Sequence, residues 1–438
     1  MSSTSDSGLS RRQALRLLGG SALAVPLVLA GCGDDSGSGP SASSTQPVEL
    51  SFFWWGGQAR ADLTDKALAL YTQKHPNVTF KKTWQGNQGY FDKLATLTAG
   101  GDAPDIFQID DNYLTEYASR SVTLDLTPYQ KSGKLDTSKF PESLWKYGLV
   151  DGKLAGLSFG ENTQGLVFNK TLLQSHSLPE PKTGQSWEDH IAWAANVTQV
   201  TGTPGTMDPS GSYQAFWVWL RQRGKELYNG KQLGFDESDV TGWFELWKGA
   251  RDRKATPTAD VIHEGNATDI TKQLVATGKA GTSWVWVNQM PELKKATKNE
   301  LGVVAFPGDT KGQWARASMY FSVYRGSKSK DVAVDVINFL ANDAAAGAIL
   351  GTERGLPSNL DIRSAVASTT KDPAMKQSIS VENDLGKLFG EPPAVPLKGH
   401  SKVRTELVKA AENCQFNRAT PAASAAAFVT ACKAAISE

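Results

Sequence analysis

The chain has 438 residues and a net charge of +1, and hydrophobic residues make up 40% of it. A surface this close to neutral offers no electrostatic basis for binding nucleic acid or for a polybasic contact with a membrane. The roughly 390 residues that follow residue 47 exceed what one hydrophobic core usually holds, so two lobes are expected.

The first 47 residues are predicted to export and attach the protein. Arg11 and Arg12 precede an apolar stretch over 17–29 that is too short and too interrupted to span a bilayer. The small residues before Cys32 are similar to a bacterial lipobox, in which the cysteine is lipidated and becomes the first mature residue. We therefore expect a twin-arginine signal peptide over 1–31, a lipid anchor on Cys32 on the outer face of the cytoplasmic membrane, and a flexible tether over 32–47. The alternatives are an ordinary signal peptide or a transmembrane anchor.

The mature chain begins with alternating strands and helices. Residues 48–55 are rich in β-branched and aromatic side chains and end in two glycines, which predicts a strand followed by a turn. A helix over 61–75, a strand over 78–84, a helix over 90–98 and a strand over 105–110 follow, which predicts a parallel α/β sheet. Ligands of such sheets bind beyond the carboxyl ends of the strands. Here those ends carry Trp54, Trp55, Gly57, Asp110 and Asp111.

Further elements are predicted along the rest of the chain. We expect a hairpin at 152–157, strands at 166–168, 303–307 and 317–324, a strand entering a loop over 277–288, and helices at 216–223, 240–251, 331–342, 401–411 and 422–436. The late pair Cys414 and Cys432 is predicted to form a disulfide in an oxidising compartment, with two buried thiols as the alternative. The scattered histidines give no metal-ligand spacing, so neither a metal nor a cofactor is expected.

Six short motifs occur in one order between residues 102 and 357. They are DAPDIF at 102–107, GKLAGL at 152–157 followed by GLVFNK at 165–170, GKAG at 278–281, GVVAFPG at 302–308, SK at 327–328 and GLP at 355–357. Together they resemble motifs of the extracellular solute-binding proteins of sugar ABC importers. The WWGG segment at 54–57 further resembles members that import plant-polysaccharide oligosaccharides.

The resemblance implies a fold and a function. The fold would be α/β, of the two-lobed periplasmic-binding-protein-like type II, with a ligand cleft between the lobes and three hinge crossings near 160–163, 306–312 and 342–346. The N-terminal lobe would comprise 48–160 plus 308–342, and the C-terminal lobe 161–307 plus 343–438. The function would be that of a monomeric, non-enzymatic receptor that captures an oligosaccharide and delivers it to ABC permease subunits with their ATPase.

The candidate ligand-binding residues combine aromatic faces with polar groups that can bond sugar hydroxyls. Side chains alternate along a strand, so one of Trp54 and Trp55 should face the core, and Trp55 is favoured for the cleft. Asp110 would accept sugar hydroxyls or instead cap the next helix. Arg60 would pair with a uronate or face solvent. The full set is Trp54, Trp55, Gly57, Arg60, Gln88, Asp110, Asp111, Glu161, Asn162, Trp217, Trp286, Asn288, Trp314 and Arg354.

Two other functions remain open from the sequence. A secreted glycoside hydrolase would also be rich in tryptophan and needs two carboxylates about 5–10 Å apart, for which Asp110 and Glu161 are the pair to consider. Alternatively, the same fold could bind a peptide, a polyamine or a sugar acid. For an anionic ligand, Arg60 and Arg354 are the candidate cations.

Overall fold

A computed structural model describes residues 46–265 and 269–437, so the predicted signal peptide, the lipidation of Cys32 and nearly all of the tether lie outside the described residues. The strands are β1 Val48–Trp55, β2 Val78–Gln85, β3 Ile106–Ile109, β4 Leu149–Val150, β5 Lys153–Leu154, β6 Leu157–Asn162, β7 Gln164–Asn169, β8 Tyr228–Asn229, β9 Gln232–Leu233, β10 Thr282–Trp286, β11 Leu301–Val304, β12 Arg316–Val323 and β13 Leu356–Pro357.

The helices follow in the same chain order. They are α1 Gln58–Lys74, α2 Tyr90–Ala99, α3 Asp111–Ser119, α4 Thr127–Lys131, α5 Glu142–Lys146, α6 Lys170–Ser175, α7 Trp187–Thr201, α8 Tyr213–Arg221, α9 Glu237–Asp252, α10 Ala259–Gly265, α11 Leu274–Thr277, α12 Met290–Lys295, α13 Lys330–Asn342, α14 Ala344–Leu350, α15 Leu360–Thr369, α16 Pro373–Gly386, α17 His400–Gln415 and α18 Pro421–Ser437. Short 3₁₀ turns occupy 270–272, 287–289 and 310–312.

A six-stranded sheet forms the first lobe, in the order β13-β6-β12-β3-β1-β2. β1 pairs in parallel with β2 and β3, whereas β12 and β13 add antiparallel pairs. Alternation along β1 sends Phe52 and Trp54 into the core under α1 and α13, and sends Phe53 into the opposite core with residues of α2 and α3. The parallel pairing predicted for the first three strands is therefore present.

A three-stranded antiparallel sheet, β10-β7-β11, lies in the second lobe. It packs against a core that contains seven of the thirteen tryptophans, contributed by α7, α8, α9, β10 and the loop before β12. The ring of Trp243 packs edge-on against Trp187 at 5.4 Å and contacts Trp247 at 5.8 Å. These seven tryptophans therefore stabilise the second lobe, because each buries a large apolar surface.

The chain passes from the first sheet to the second at Thr163, between β6 and β7. It returns between β11 and β12, through 305–315. The helix α14 then packs on α1, and Ala346 and Leu350 join the core of the first sheet. The segment 344–357, which the predicted boundaries assign to the C-terminal lobe, thus packs on the six-stranded sheet, and the boundaries themselves stay a prediction.

The two late cysteines are free and buried, so the predicted disulfide is wrong for this structure. α17 and α18 form an antiparallel hairpin, in which Gly399 at the start of α17 lies against the backbone of Ala435 near the end of α18. Cys414 lies near the turn of this hairpin, whereas Cys432 lies eleven residues into α18, about 16 Å along the axis at 1.5 Å per residue. A disulfide requires Cα atoms within about 7 Å.

Among residues 46–265 and 269–437, no single helix has the length and apolar character needed to cross a membrane. The bent pair α13 and α14, which meet at 71°, passes that test only when its two helices are taken together.

Candidate functional site

The candidate site lies where the carboxyl ends of β1 and β3 face elements of the second lobe. β12 runs antiparallel to β3, so its first residue, Arg316, reaches the edge at which β3 ends and α3 begins with Asp111. From the other lobe, Tyr213 begins α8 and Trp286 ends β10. Both of these side chains contact Arg316, so one guanidinium joins the two lobes.

Arg316 and Asp111 form a buried ion pair, with side chains that are 9% and 2% exposed. Arg316 Nη1 donates to the Tyr213 hydroxyl at 3.2 Å, and the Tyr147 hydroxyl donates to Asp111 Oδ2 at 3.2 Å. Burial lowers the pKa of Arg316, but Asp111, the two tyrosines and Asp110 together outweigh this effect, so the pKa of Arg316 lies above its ordinary value. Burial raises the pKa of Asp111 and Arg316 opposes that rise, so the charge of Asp111 depends on its pairing with Arg316. Two tyrosines fix the positions of the pair.

Two tryptophans form walls beside this pair. The Arg316 guanidinium lies 4.7 Å from the ring centre of Trp286, and Trp314 packs edge-on against Trp217 at 5.0 Å. A cavity of about 20 Å³ lies between them, and its lining residues are Gln164, Gln214, Val218, Trp286, Phe306, Gln313, Trp314 and Arg316. Aromatic faces with side-chain amides around a small cavity are typical of a ligand site.

Several buried polar atoms around the passage between the lobes have no hydrogen-bond partner. They include Gln164 Oε1, Trp314 Nε1 and Arg316 Nε beside the cavity. Asn162 Oδ1, Thr163 Oγ1 and Asn288 Oδ1 are also unpaired, in the β6–β7 passage and just after β10. Because a buried unpaired polar group costs about 1–3 kcal/mol, such a concentration is better explained by ligand binding than by stability.

Trp54 and Trp55, at the end of β1, lie on opposite faces of the sheet, as the alternation of side chains along a strand predicts. Trp54 is completely buried in the core beside α1, which corrects its place among the predicted ligand-binding residues. Trp55 is half-buried at the end of β1 and contacts the rings of Tyr90 and Phe91. Trp55 thus keeps an accessible face at the sheet edge that carries the site.

Asp110 caps α3, which was the alternative to ligand binding: its carboxylate accepts from the backbone N–H of Asn112 at 3.0 Å and from the Asn112 side chain at 2.9 Å. It remains half-buried next to Asp111. Gly57 and Gln88 are exposed in the turns that follow β1 and β2. Trp217 is nearly buried and donates its indole N–H to Glu226 at 2.6 Å, so its main role is packing.

The polar residues at the end of β6 face different surroundings. Glu161 is buried and accepts from Arg363 Nη2 at 2.6 Å, so its carboxylate is bound within the first lobe. Asn162, the next residue, pairs in register with Arg316 on β12 and keeps its unpaired amide oxygen. Of this pair, Asn162 is the better ligand-binding candidate.

The two arginines proposed as partners for an anionic ligand are bound to the protein instead. Arg60 Nε pairs with Glu353 at 3.2 Å, and Arg60 Nη1 donates to the Trp55 carbonyl at 3.0 Å. Arg354 is 3% exposed and donates to Gln108 at 3.0 Å and to Thr64 at 2.8 Å. Arg354 therefore lies in the first-lobe interior, which corrects its predicted position at the cleft mouth.

Sequence reasoning missed Arg316, Tyr213, Tyr147 and Gln164. Arg316 had a usable signal, because an arginine that opens the apolar strand RASMYFSV is costly to bury without a partner. Tyr213, Tyr147 and Gln164 gave no such signal in the sequence, because their positions relative to Asp111 depend on contacts between segments far apart in the chain.

A second cavity, of about 20 Å³, lies in the first lobe beside α13 and α14. Its lining is mostly aliphatic and Arg354 is its single charged residue, so it lacks the aromatic walls and amides of the candidate site.

Comparison with known proteins places the chain in a family. A family model described as bacterial extracellular solute-binding protein matches residues 66–377. The chain belongs to this family. It is 24% identical over 387 residues to the diacetylchitobiose binding protein DasA of Streptomyces coelicolor, an alignment that covers 81% of this chain and 88% of that relative.

Solved structures agree. An extracellular solute-binding protein family 1 member from Alicyclobacillus acidocaldarius superposes with a TM-score of 0.72 at 25% identity, covering 90% of this chain and all of that one. A periplasmic oligogalacturonide binding protein from Yersinia enterocolitica, in complex with saturated digalacturonic acid, superposes with a TM-score of 0.74 at 20% identity, covering 89% of this chain and 98% of that one. The predicted family and the two-lobed α/β fold are confirmed.

Proposed function

We propose that this protein captures an oligosaccharide between its lobes and presents it to the permease subunits of an ABC importer. The observation that carries the proposal is the cavity between Trp286 and Trp314, where unpaired polar atoms of Gln164 and Arg316 adjoin two indole rings. Indole faces stack on the apolar faces of sugar rings, and the polar atoms can bond hydroxyls. The likeness to a diacetylchitobiose binding protein supports the same ligand class.

Both lobes supply the proposed site, so its assembly depends on their closure. Asp111 and Arg316 come from the first lobe, whereas Tyr213, Trp286 and Gln164 come from the second. A ligand that contacts both groups binds the closed form more tightly than the open form and therefore shifts the population toward closure. The closed shape would signal occupancy to the permease.

Thermal unfolding with a panel of mono-, di- and oligosaccharides tests the proposal. A ligand at one hundred times its Kd adds about 2.7 kcal/mol to the free energy of unfolding, which raises Tm by several degrees. Tryptophan fluorescence should change over the same concentration range because indoles line the site. A broad panel that alters neither Tm nor fluorescence would refute carbohydrate binding.

We also propose that the protein performs no hydrolysis. Of the two carboxylates considered for a glycosidase, Asp110 caps α3 and Glu161 is paired with Arg363. Neither is free to exchange a proton with a glycosidic oxygen as a general acid must. Incubation with a bound oligosaccharide, followed by a reducing-end assay, should detect no release. Turnover that is lost in Asp110→Asn would favour the hydrolase instead.

We propose that the mature protein is a monomer held outside the cytoplasmic membrane by a lipid on Cys32. The family is extracellular, which supports an extracytoplasmic location. The order of twin arginines, apolar stretch and lipobox supports export by the twin-arginine route and lipidation. Cys32→Ser should move the protein from the membrane fraction to the soluble fraction. Membrane retention of this variant would contradict the lipid anchor, and light scattering of the soluble form tests the monomer.

A further inference from the structure

The charged groups around the candidate site balance one another. Asp111 is paired with the buried Arg316, and Asp110 lies beside it at the start of α3. The guanidinium of Arg404, on α17, lies 4.9 Å from the ring centre of Tyr213, which itself bonds Arg316. The cluster formed by Asp110, Asp111, Arg316 and Arg404 thus has two negative and two positive charges.

Other cations near the site are paired or bound within the protein. Arg221 packs over Trp314 at 5.2 Å, and its Nε pairs with Glu226 at 3.1 Å. Arg60 pairs with Glu353, and Arg354 lies in the first-lobe interior. Arg316, Arg221 and Arg60 are therefore each paired with a carboxylate, and Arg354 is bound by neutral groups of the first-lobe interior.

We propose that this site selects electrically neutral oligosaccharides and discriminates against uronates, an inference that rests on the proposed carbohydrate function. A uronate carboxylate that enters the cavity loses its hydration, and Arg316, the charged residue that lines the cavity, is already paired with Asp111. It would also lie near two aspartates, which repel it. A neutral sugar brings no charge that must lose its hydration and is not repelled by the aspartates.

The unpaired atoms beside the cavity fit a neutral ligand. Arg316 Nε and Trp314 Nε1 are N–H donors, whereas Gln164 Oε1 is an acceptor. A sugar hydroxyl at this position can both accept from an N–H donor and donate to Gln164, whereas a uronate carboxylate at the same position can only accept and leaves Gln164 without a donor. Leaving a buried polar group unpaired is itself a source of discrimination.

Competition between neutral and acidic sugars tests the selectivity. The full chain is incubated with an equimolar mixture of neutral oligosaccharides from cellulose, xylan, chitin and starch and of uronates from pectin and alginate. Native mass spectrometry then identifies the retained species. We expect a neutral sugar to be retained at least tenfold over any uronate. Preferential retention of a uronate would overturn this inference and leave the carbohydrate function standing, whereas retention of no sugar would overturn both.

A charge-changing variant gives a second test with a close control. Asparagine caps helices as well as aspartate does, so Asp110→Asn removes one negative charge from the cluster and keeps the start of α3. The cluster then carries an excess positive charge, and we expect the preference for neutral sugars over uronates to fall at least fivefold. Asp236→Asn changes the capping aspartate of α9, outside the cluster, and should leave the preference unchanged. Equal selectivity in the two variants would refute the charge argument.

Discussion

Glu382 provides a direct test of how burial controls ionisation in this fold. The side chain lies on α16 and is completely buried, and no other side chain bonds its carboxylate oxygens. Burial raises the pKa of Glu382 well above its ordinary value, and the nearby carboxylate of Glu161 raises the pKa further, whereas Arg363 and the backbone N–H of Asn288 lower it. Glu382 is therefore expected to be protonated in the folded protein at pH values where the unfolded chain has already lost the proton.

This difference sets the sign of a pH dependence. Between the unfolded pKa, about 4.3, and the higher folded pKa, the native state holds one more proton than the unfolded state. The contribution of Glu382 to stability is complete below pH 4 and is lost as the pH rises through the folded pKa. Over that interval the free energy of unfolding falls by up to about 1.4 kcal/mol per pH unit.

Glu382→Gln replaces the titrating group with a neutral one of the same shape. In urea unfolding at pH 5, 6 and 7, the free energy of unfolding of the variant minus that of the parent should increase by up to about 1.4 kcal/mol per pH unit. Effects of titrating groups that do not interact with Glu382 cancel in this comparison. Glu245→Gln, on the exposed face of α9, should parallel the parent. Parallel curves for Glu382→Gln and the parent would show that Glu382 ionises in the folded state as it does in the unfolded chain.

Three further substitutions test the site and the core. Trp286→Ala removes an indole face from the cavity and should weaken sugar binding about tenfold in isothermal titration calorimetry with Tm nearly unchanged, whereas an unchanged Kd would remove Trp286 from the site. Trp247→Ala empties a fully buried position in the second-lobe core and should lower the free energy of unfolding by about 3–5 kcal/mol; a loss below 1 kcal/mol would contradict the packing described. Asp236→Ala removes the half of the α9 capping box in which the Asp236 carboxylate accepts from the backbone N–H groups of Ser238 and Asp239, and it should cost about 0.5–2 kcal/mol in urea unfolding; an unaltered midpoint would show that the cap is dispensable.

Local pattern was enough to predict much of the fold. The β-branched and aromatic run in β1, the Pro and Gly residues that end the early elements, and the strand-helix alternation together predicted a parallel sheet. Ordered motifs then indicated the two-lobed family, and the family model confirms it. These signals depend only on residues close together in the chain, so they can be recognised without knowing which distant segments are in contact.

The position of each charged side chain was decided by tertiary contacts. Arg60 follows the WWGG segment and Arg354 directly precedes the GLP motif, yet each is bound by residues that lie far away in sequence or across a turn. The predicted disulfide was wrong for the same reason, because the two helices of a hairpin run in opposite directions and place Cys414 and Cys432 far apart.

By itself, the sequence determined the fold class, the family and the sheet edge at which the candidate site lies, since periodicity and motif order depend on neighbours in the chain. The tertiary structure alone decided which groups come together in that candidate site. Arg316 joins Asp111 of one lobe to Tyr213 and Trp286 of the other, and these four residues are separated by up to 205 positions in the chain. The role of a buried charge depends on the groups packed around it, and contacts between two lobes produce no periodic pattern in the sequence.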